Sequence, residues 1–171
     1  NSIGESTRSD LLAQGHQGNG LQLQQEREEY ARIPSDVIDE AQITKIDLKF
    51  KTTAKDSSIF TVAGLESDNE LLPWIDPDGF LEMYFRGEAW KIPTTRWVND
   101  DKWHTLSITL VGNYMKVLLD GRDYIHEFKA STPLNVKMFL FGQEIDFDKG
   151  NQKEIEVIGG KSYTIDKAQA F

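Results

Sequence analysis

The sequence predicts an all-β protein in which two antiparallel sheets pack face to face. Short segments that alternate apolar and polar residues recur along the chain, turn residues separate them, and no long helical pattern interrupts them. The stretch from Asn99 to Gly121 shows this best. Leu106, Ile108 and Leu110 alternate with polar residues, and a Gly-Asn pair and an Asp-Gly pair each supply a tight turn. We therefore expect a central β-hairpin with one buried face.

Length and composition limit the classes of function. The 171 residues suffice for one hydrophobic core, so nothing requires a second domain. The formal net charge of -9 argues against nucleic acid as a partner, and the absence of cysteine excludes disulfides and thiol chemistry. No long apolar run is present, so we expect no membrane insertion and a soluble chain.

The chain divides into a polar, partly flexible lead-in over residues 1–20 and a sandwich domain over 21–171. The lead-in is expected to contribute one edge strand near Leu11, and a short helical turn is expected after Pro34. Further strands are predicted by alternation at 43–53, 58–63, 70–75, 80–86, 103–110, 114–119, 123–128, 136–141, 150–157 and 163–166. Pro73 inside one of these segments predicts an edge strand or a bulge there, because proline has no N–H for a ladder. Residues 87–98 are rich in Trp and Arg, and no strand is assigned to them.

Two motifs give the chain a resemblance to a known family. Asp101-Lys102-Trp103-His104-Thr105 is followed by a strand, Gly112-Asn113, a second strand and Leu119-Asp120-Gly121. Ile46-Asp47-Leu48-Lys49-Phe50-Lys51-Thr52 is followed by Ser58-Ile59-Phe60-Thr61-Val62-Ala63-Gly64. Both patterns resemble laminin G-like (LNS) domains, and the likeness extends over 43–166. It implies a jelly-roll sandwich of the concanavalin A-like superfamily. The chain departs from the family at Asn151, where the family usually has cysteine.

The resemblance also implies a calcium site at the rim of the sandwich. Laminin G-like domains often hold one Ca²⁺ between an Asp, a second Asp or Asn, and main-chain carbonyls. Asp68 matches the first position, Asn135 falls at the second, and a carbonyl near Gly87 is a further candidate. Because only one of these ligands is a carboxylate, weak binding at about 10⁻⁴–10⁻³ M is expected.

A set of arginine and aromatic residues is the candidate ligand-binding site. Arg86, Trp90 and Arg96 are predicted to bind the ligand, since tryptophan and arginine stack on sugars and anchor protein partners. Trp97 and Trp103 are expected instead to close the ends of the hydrophobic core.

Two groups of residues invite a catalytic interpretation. Glu144, Asp146 and Asp148 alternate along a predicted strand, as the carboxylates of family-16 type glucanases do, but a solvated acidic strand is the favoured interpretation. His104 follows Trp103 directly and is predicted to be a structural hydrogen-bonding residue and not a general base.

The predicted function is that of a non-enzymatic recognition or adhesion module, in an extracellular or cell-surface protein. Its ligand would be a protein or a glycan held by the rim loops. One alternative is a carbohydrate-binding module attached to a glycosidase. A second is a glucanase-like glycoside hydrolase.

Overall fold

The computed structural model of the protein describes the backbone of residues 5–6, 12–14, 19–23, 31–33, 43–64, 70–136, 138–142, 144–148, 151–158 and 163–170. Side chains are described for 22–23, 31–33, 43–64, 70–136 and 138–142. The expected helical turn after Pro34, and the acidic loop that contains Asp68, lie outside these residues. No helix that could cross a membrane is found in the described part of the chain.

The described residues form seventeen strands and no helix. In chain order the strands are β1 (Glu5–Ser6), β2 (Leu12–Gln14), β3 (Asn19–Leu23), β4 (Ala31–Ile33), β5 (Lys45–Lys51), β6 (Ser57–Ser58), β7 (Phe60–Ala63), β8 (Leu71–Ile75), β9 (Leu81–Phe85), β10 (Glu88–Lys91), β11 (His104–Val111), β12 (Tyr114–Leu119), β13 (Arg122–Glu127), β14 (Met138–Phe141), β15 (Glu144–Asp148), β16 (Asn151–Ile158) and β17 (Tyr163–Ala170).

Two large sheets contain most of these strands, and every described strand pair is antiparallel. The first sheet has the order β1-β4-β14-β7-β8-β9-β10, with β6 also paired to β8. The second has the order β13-β12-β11-β5-β17-β3-β2, and β15 and β16 pair separately. This arrangement confirms the predicted all-β fold of two antiparallel sheets.

Apolar rows cross the inner face of the second sheet. Leu106 of β11 lies opposite Leu48 of β5 and Leu119 of β12, so one row spans three strands. Ile108 builds the next row in the same way, with Ile46 and Val117. All six side chains are at most 4% exposed, which shows that the period-two pattern of the sequence marks the buried face.

Aromatic side chains fill the inner face of the first sheet. Phe60 of β7 stacks on Phe139 of β14 with ring centroids 5.1 Å apart, and Phe141 meets the same ring edge-on at 6.2 Å. Phe85 of β9 and Phe128 pack edge to face at 5.5 Å. Such pairs add a geometric preference to the area that they bury.

Two tight turns set the register of the strands from β11 to β13. Val111 pairs with Tyr114, which leaves Gly112-Asn113 as a two-residue loop. Gly112 has φ of 59°, whereas Asn113 keeps an ordinary φ, so the turn is of type II′ and needs a positive φ at one residue only. Asp120 (φ 49°) and Gly121 (φ 85°) both take the left-handed conformation, as a type I′ turn requires.

Pro73 lies at a bulge in an interior strand. Its strand β8 runs between β7 and β9, so the edge alternative is wrong. The bulge alternative is confirmed, because the pairing shifts register between Ser58↔Trp74 and Val62↔Leu71. Ile59 lies in this interruption, and its N–H donates to the Pro73 carbonyl at 3.0 Å.

Two segments differ from the sequence-based picture. β10 lies within residues 87–98, to which the sequence analysis assigned no strand. It has only four residues, and its alternation is too short to distinguish from a loop. Within the predicted lead-in, β2 is the end strand of the second sheet, which confirms the edge strand expected near Leu11. β1, the end strand of the first sheet, was not expected. The domain boundary at residue 20 stays a prediction.

Phe60→Ala should lower the free energy of unfolding by about 3–5 kcal/mol, since it removes a fully buried ring from the aromatic cluster. A urea titration followed by tryptophan fluorescence measures this. Val111→Ala is the control, because Val111 is 69% exposed and should change the free energy by less than about 0.5 kcal/mol. Equal losses in both variants would contradict the assigned core.

Candidate functional site

A short loop between β10 and β11 is held at both ends and exposed in the middle. Ile92 and Val98 are buried at 1% and 0% exposure, and residues 93–97 between them form what we call the rim loop. The N–H of Ile92 donates to Leu81 O at 3.0 Å, and the N–H of Val98 donates to Gly79 O at 2.9 Å. Both ends are therefore attached to the same part of the first sheet.

Hydrogen bonds within the rim loop restrict it further. The N–H of Thr94 donates to Ile92 O at 2.8 Å, and the N–H of Arg96 donates to the Thr94 hydroxyl at 3.1 Å. A loop with this many internal bonds loses little conformational entropy when a ligand binds. The side chains of Arg96 and Trp97 are thus presented on a largely fixed backbone.

Trp97 is exposed, and the expectation that it closes the core is wrong. Its side chain is 60% exposed, while the neighbouring Val98 is fully buried. Because Val98 fills the core position, the indole next to it faces solvent. Trp103 is half-buried, in line with its expected place at an end of the core.

The turn below the rim loop is ordered by Asp76. Its Oδ1 accepts hydrogen bonds from the N–H groups of Asp78 and Phe80 at 2.8 and 2.9 Å, and its Oδ2 lies 3.2 Å from Lys91 Nζ. Burial on its own would raise the pKa of Asp76, but these bonds and the nearby Lys91 outweigh it and lower the pKa. Gly79 in the same turn has φ of 91°, and a side chain there would collide with Asn99.

Beneath the rim loop, a histidine lies between two carboxylates. His104 Nδ1 is 2.6 Å from Asp120 Oδ2, and His104 Nε2 is 2.6 Å from Asp100 Oδ1. Asp120 Oδ1 also accepts a hydrogen bond from the Thr105 N–H at 2.9 Å. The cluster therefore ties the loop at Asp100, the first residue of β11 and the β12–β13 turn to one another.

Hydrogen bonds and nearby charges shift the pKa values of the three groups in this cluster. Burial would lower the pKa of His104, but hydrogen bonds to Asp120 and Asp100 outweigh it and raise the pKa. Burial would likewise raise the pKa of both carboxyls, but the hydrogen bonds to His104 lower it, and for Asp120 the charge of Arg96 also contributes. Both imidazole nitrogens are engaged with carboxylates and the ring is buried, which confirms the predicted structural role of His104.

Trp90 closes the side of the sandwich where β10 and β13 end the two sheets. Its ring stacks on His126 of β13, with centroids 5.0 Å apart and an interplanar angle of 12°. Phe128 packs edge-on beneath at 6.3 Å from Trp90. The indole is half-buried, so only part of it faces solvent.

Arg86 makes its described contacts within the protein. Its Nε donates to Glu70 Oε1 at 3.0 Å, and its two terminal nitrogens donate to the carbonyls of Ser131 and Pro133 at 2.7 and 2.6 Å. The same Glu70 oxygen accepts the N–H of Asn135 at 2.8 Å. The guanidinium therefore joins buried Glu70 to the loop before β14, and its predicted role in ligand binding stays a prediction.

The predicted calcium ligands are described only in part. Asn135 lies against Gly64, where a side chain would come within 2.8 Å of the Asn135 carbonyl oxygen. Asp68 lies outside the described residues. The described residues contain no group of three or more His, Asp or Glu side chains that could hold a metal ion. Calcium binding at Asp68 and Asn135 therefore stays a prediction.

The three predicted ligand-binding residues have different surroundings. Arg86 precedes β10, Trp90 lies on it, and Arg96 follows it. Each has different partners. The exposed indole beside Arg96 is that of Trp97, which the sequence analysis assigned to the core. The sequence offered one signal for this, because the next residue, Val98, is also apolar and could fill the core position instead of Trp97.

Solved structures share this fold. No protein-family model and no curated protein matches the sequence. The mouse laminin alpha1 chain, domains LG4-5, aligns with a TM-score of 0.58 at 17% identity, over 82% of this chain and 38% of that chain. The native heptameric SAP-like pentraxin from Limulus polyphemus aligns with a TM-score of 0.56 at 15% identity, over 75% of this chain and 63% of that chain. A third is the Ruminococcus gnavus IT-sialidase CBM40 bound to alpha2,3 sialyllactose, with a TM-score of 0.55, 14% identity, and coverage of 88% and 91%.

These likenesses concern the fold alone, since all identities are low. They agree with the motifs around Trp103 and Phe50 and with the sandwich of two antiparallel sheets described above. The chain has the laminin G-like, concanavalin A-like jelly-roll fold.

His104→Gln should remove a pH-dependent part of the stability. Because folding raises the pKa of His104, its contribution is complete below the unfolded value of 6.5 and is lost as the pH rises through the folded pKa. The lowered pKa values of Asp100 and Asp120 contribute stability above 3.8, which is lost as the pH falls through their folded pKa values. Wild-type unfolding free energy should therefore decline above 6.5, and urea titrations at several pH values should show a flatter profile in the variant. His126→Gln is the control, and an equally steep decline in His104→Gln would contradict the assignment.

Proposed function

We propose that this protein is a non-enzymatic recognition module that binds a protein or glycan ligand through the rim loop. The observation that carries the proposal is the exposed indole of Trp97 beside Arg96, on a loop held at both ends by buried residues. An exposed tryptophan on a fixed backbone is unfavourable for solubility and favourable for binding. Trp and Arg are also the residues that most often dominate binding energy at interfaces.

The chemistry around the loop suits a ligand with both apolar and polar faces. The indole offers a flat surface for the C–H face of a sugar ring or for an apolar side chain, and Arg96 offers hydrogen-bond donors. Asp101 is exposed on the segment that follows and adds a hydrogen-bond acceptor. Hydroxyl-rich ligands need both donors and acceptors.

The described residues also favour binding over catalysis. His104 has both ring nitrogens bonded to carboxylates and is buried, so it has no free nitrogen to act as a base on a ligand. Glu144 and Asp146 lie on β15, whose pairing with β16 is regular from Glu144 to Phe147 and shifts before Asp148. Their side chains lie outside the described part of the structure. The solvated-strand interpretation of this triplet stays a prediction.

A glycan is the first ligand class to test. One solved structure of this fold is a carbohydrate-binding module bound to sialyllactose, and another is a laminin domain pair. We also propose an extracellular or cell-surface parent protein, as the resemblance of the sequence to laminin G-like domains implies. A carbohydrate-binding module attached to a glycosidase is the second candidate, and it predicts specific sugar binding by the isolated domain.

Trp97→Ala should lower the affinity for any ligand found on a glycan or protein array by at least about tenfold, since central indoles often contribute more than 1.4 kcal/mol to binding. Tyr114→Ala is the matched control, because Tyr114 is an aromatic residue that is 50% exposed on a different face. Isothermal calorimetry with the best array hit gives both affinities.

Two results would contradict the proposal. Equal affinities for wild type and Trp97→Ala would place the binding surface elsewhere. Glycan hydrolysis by the wild-type protein that disappears in Glu144→Gln would replace the binding module with a hydrolase.

We further propose weak calcium binding at Asp68 and Asn135. The melting temperature should rise with millimolar Ca²⁺, because an ion that binds only the folded state stabilises it by mass action. Mg²⁺ should act less, since it demands strict octahedral geometry. Asp68→Ala should abolish the response, and Asp78→Ala, a change of an exposed acid in another turn, should retain it. A melting temperature indifferent to Ca²⁺ would contradict the proposal.

A further inference from the structure

We propose that the open edge of β13 binds an extended basic segment of a partner protein as an added strand. β13 ends the second sheet, and no other strand in the described part of the chain pairs with its outer side. Its pairing with β12 runs without a bulge from Arg122 to Glu127. A regular edge strand of six residues is a ready template for another chain.

The backbone groups that face the open edge follow from the hairpin. Asp120-Gly121 is a two-residue loop, so Arg122 and Leu119 form a hydrogen-bonded pair, and every second residue repeats that pairing. The N–H of Phe128 donates to Asn113 O at 2.7 Å, which fixes the same parity at the far end. Consequently, the N–H and C=O groups of the odd-numbered residues of β13 point away from β12, and these residues are Asp123, Ile125 and Glu127.

The same three residues carry the side chains of the outer face. Ile125 is 64% exposed, and Asp123 and Glu127 on either side of it are exposed as well. Contacts hold both acids on this face. Asp123 Oδ2 lies 3.4 Å from Lys116 Nζ, and Glu127 Oε1 accepts a hydrogen bond from Asn113 Nδ2 at 3.1 Å. The outer face of the edge therefore reads acid, aliphatic, acid.

The other face of β13 adds an aromatic surface. Tyr124 and His126 are half-buried, and Trp90 of β10 stacks on His126. Alternate residues of a strand added to the open edge of β13 would lie next to these rings. Backbone bonds would supply affinity at this edge, and the two faces would supply selectivity.

Charge complementarity identifies the partner segment as basic, aliphatic, basic at alternate positions. Cross-strand pairs of opposite charge are favourable, and like charges directly opposite are unfavourable. A second copy of this chain is the wrong occupant. An antiparallel pair of β13 strands centred on Ile125 would set Asp123 against Glu127, between two chains of formal net charge -9 each.

The test uses synthetic capped peptides and the full chain. Lys-Thr-Val-Thr-Lys should bind in a fluorescence-anisotropy titration, and Glu-Thr-Val-Thr-Glu should not. N-methylation of the central valine should abolish binding, because it removes the amide that pairs with Ile125. Trp97→Ala should bind the peptide as the wild type does, so the outcome is independent of the rim-loop proposal.

Two variants at Ile125 distinguish the contribution of its backbone N–H to peptide binding from that of its side chain. Ile125→Pro removes an N–H that points to the open edge and leaves the β12 pairing intact, and proline is tolerated at such edge positions. It should weaken peptide binding by at least about tenfold, whereas Ile125→Thr, which keeps the N–H, should weaken it less. Circular dichroism melts check that both variants fold, and a double variant Asp123→Asn with Glu127→Gln should lose the preference for the basic peptide.

Any of three results with the peptides would overturn the proposal. The basic peptide fails to bind the wild type, it binds a folded Ile125→Pro equally well, or it binds no better than the acidic peptide. Self-association of the wild type in sedimentation equilibrium that Ile125→Pro abolishes would also overturn it, since the edge would then hold a second copy.

Discussion

Burial of the two inner faces is the constraint on which the rest of the molecule depends. Each strand of the central region has one apolar side, and that side leaves water only when the second sheet covers it. The row through Leu48, Leu106 and Leu119 and the ring cluster around Phe60 are the two halves of this core. Strand register, turn type and sheet order all follow from keeping these side chains on one face, because a slip of one residue would expose the whole row.

Polar clusters connect the loops to that core. Asp76 orders a turn of the first sheet, and Glu70 with Arg86 holds the loop before β14. The carboxylates around His104 join three separate parts of the chain, which no single backbone bond does. These paired charged groups hold the loops in one conformation. Arg96 and Trp97 can then contact a ligand without the entropy cost of ordering a flexible loop.

The rim loop and the open edge of β13 thus differ in what they offer a partner. The rim loop presents an indole and a guanidinium and suits a compact ligand. The open edge of β13 presents free amides and carbonyls between acidic side chains, and it suits an extended one. Trp90 stacks on His126 and is half-buried, so part of the indole is used in closing the sandwich. A shared fold says nothing about which surface is used, because function in sandwiches of this type depends on loops and edges.

The sequence by itself determined the fold class and the inner faces. Period-two alternation in β5, β9, β11 and β12 marked the buried residues, since side chains in a strand must alternate between core and solvent. The hydrogen-bonding role of His104 was also readable, from its place on the apolar side of the hairpin. The calcium ligands and the acidic triplet remain predictions from the sequence.

Only the tertiary structure decided which aromatic and charged side chains remain available. Trp97 and Val98 are adjacent and both apolar. Val98 is the one in the core, where its N–H bonds to Gly79 O, and Trp97 is left exposed. Arg86 looked like a free cation in the sequence, and its partners at Ser131 and Pro133 are 45 and 47 residues away in the chain. The local sequence pattern predicts which face of a strand a side chain lies on, because that depends on neighbours in sequence. Exposure and pairing depend on neighbours in space, which the folded chain alone brings together.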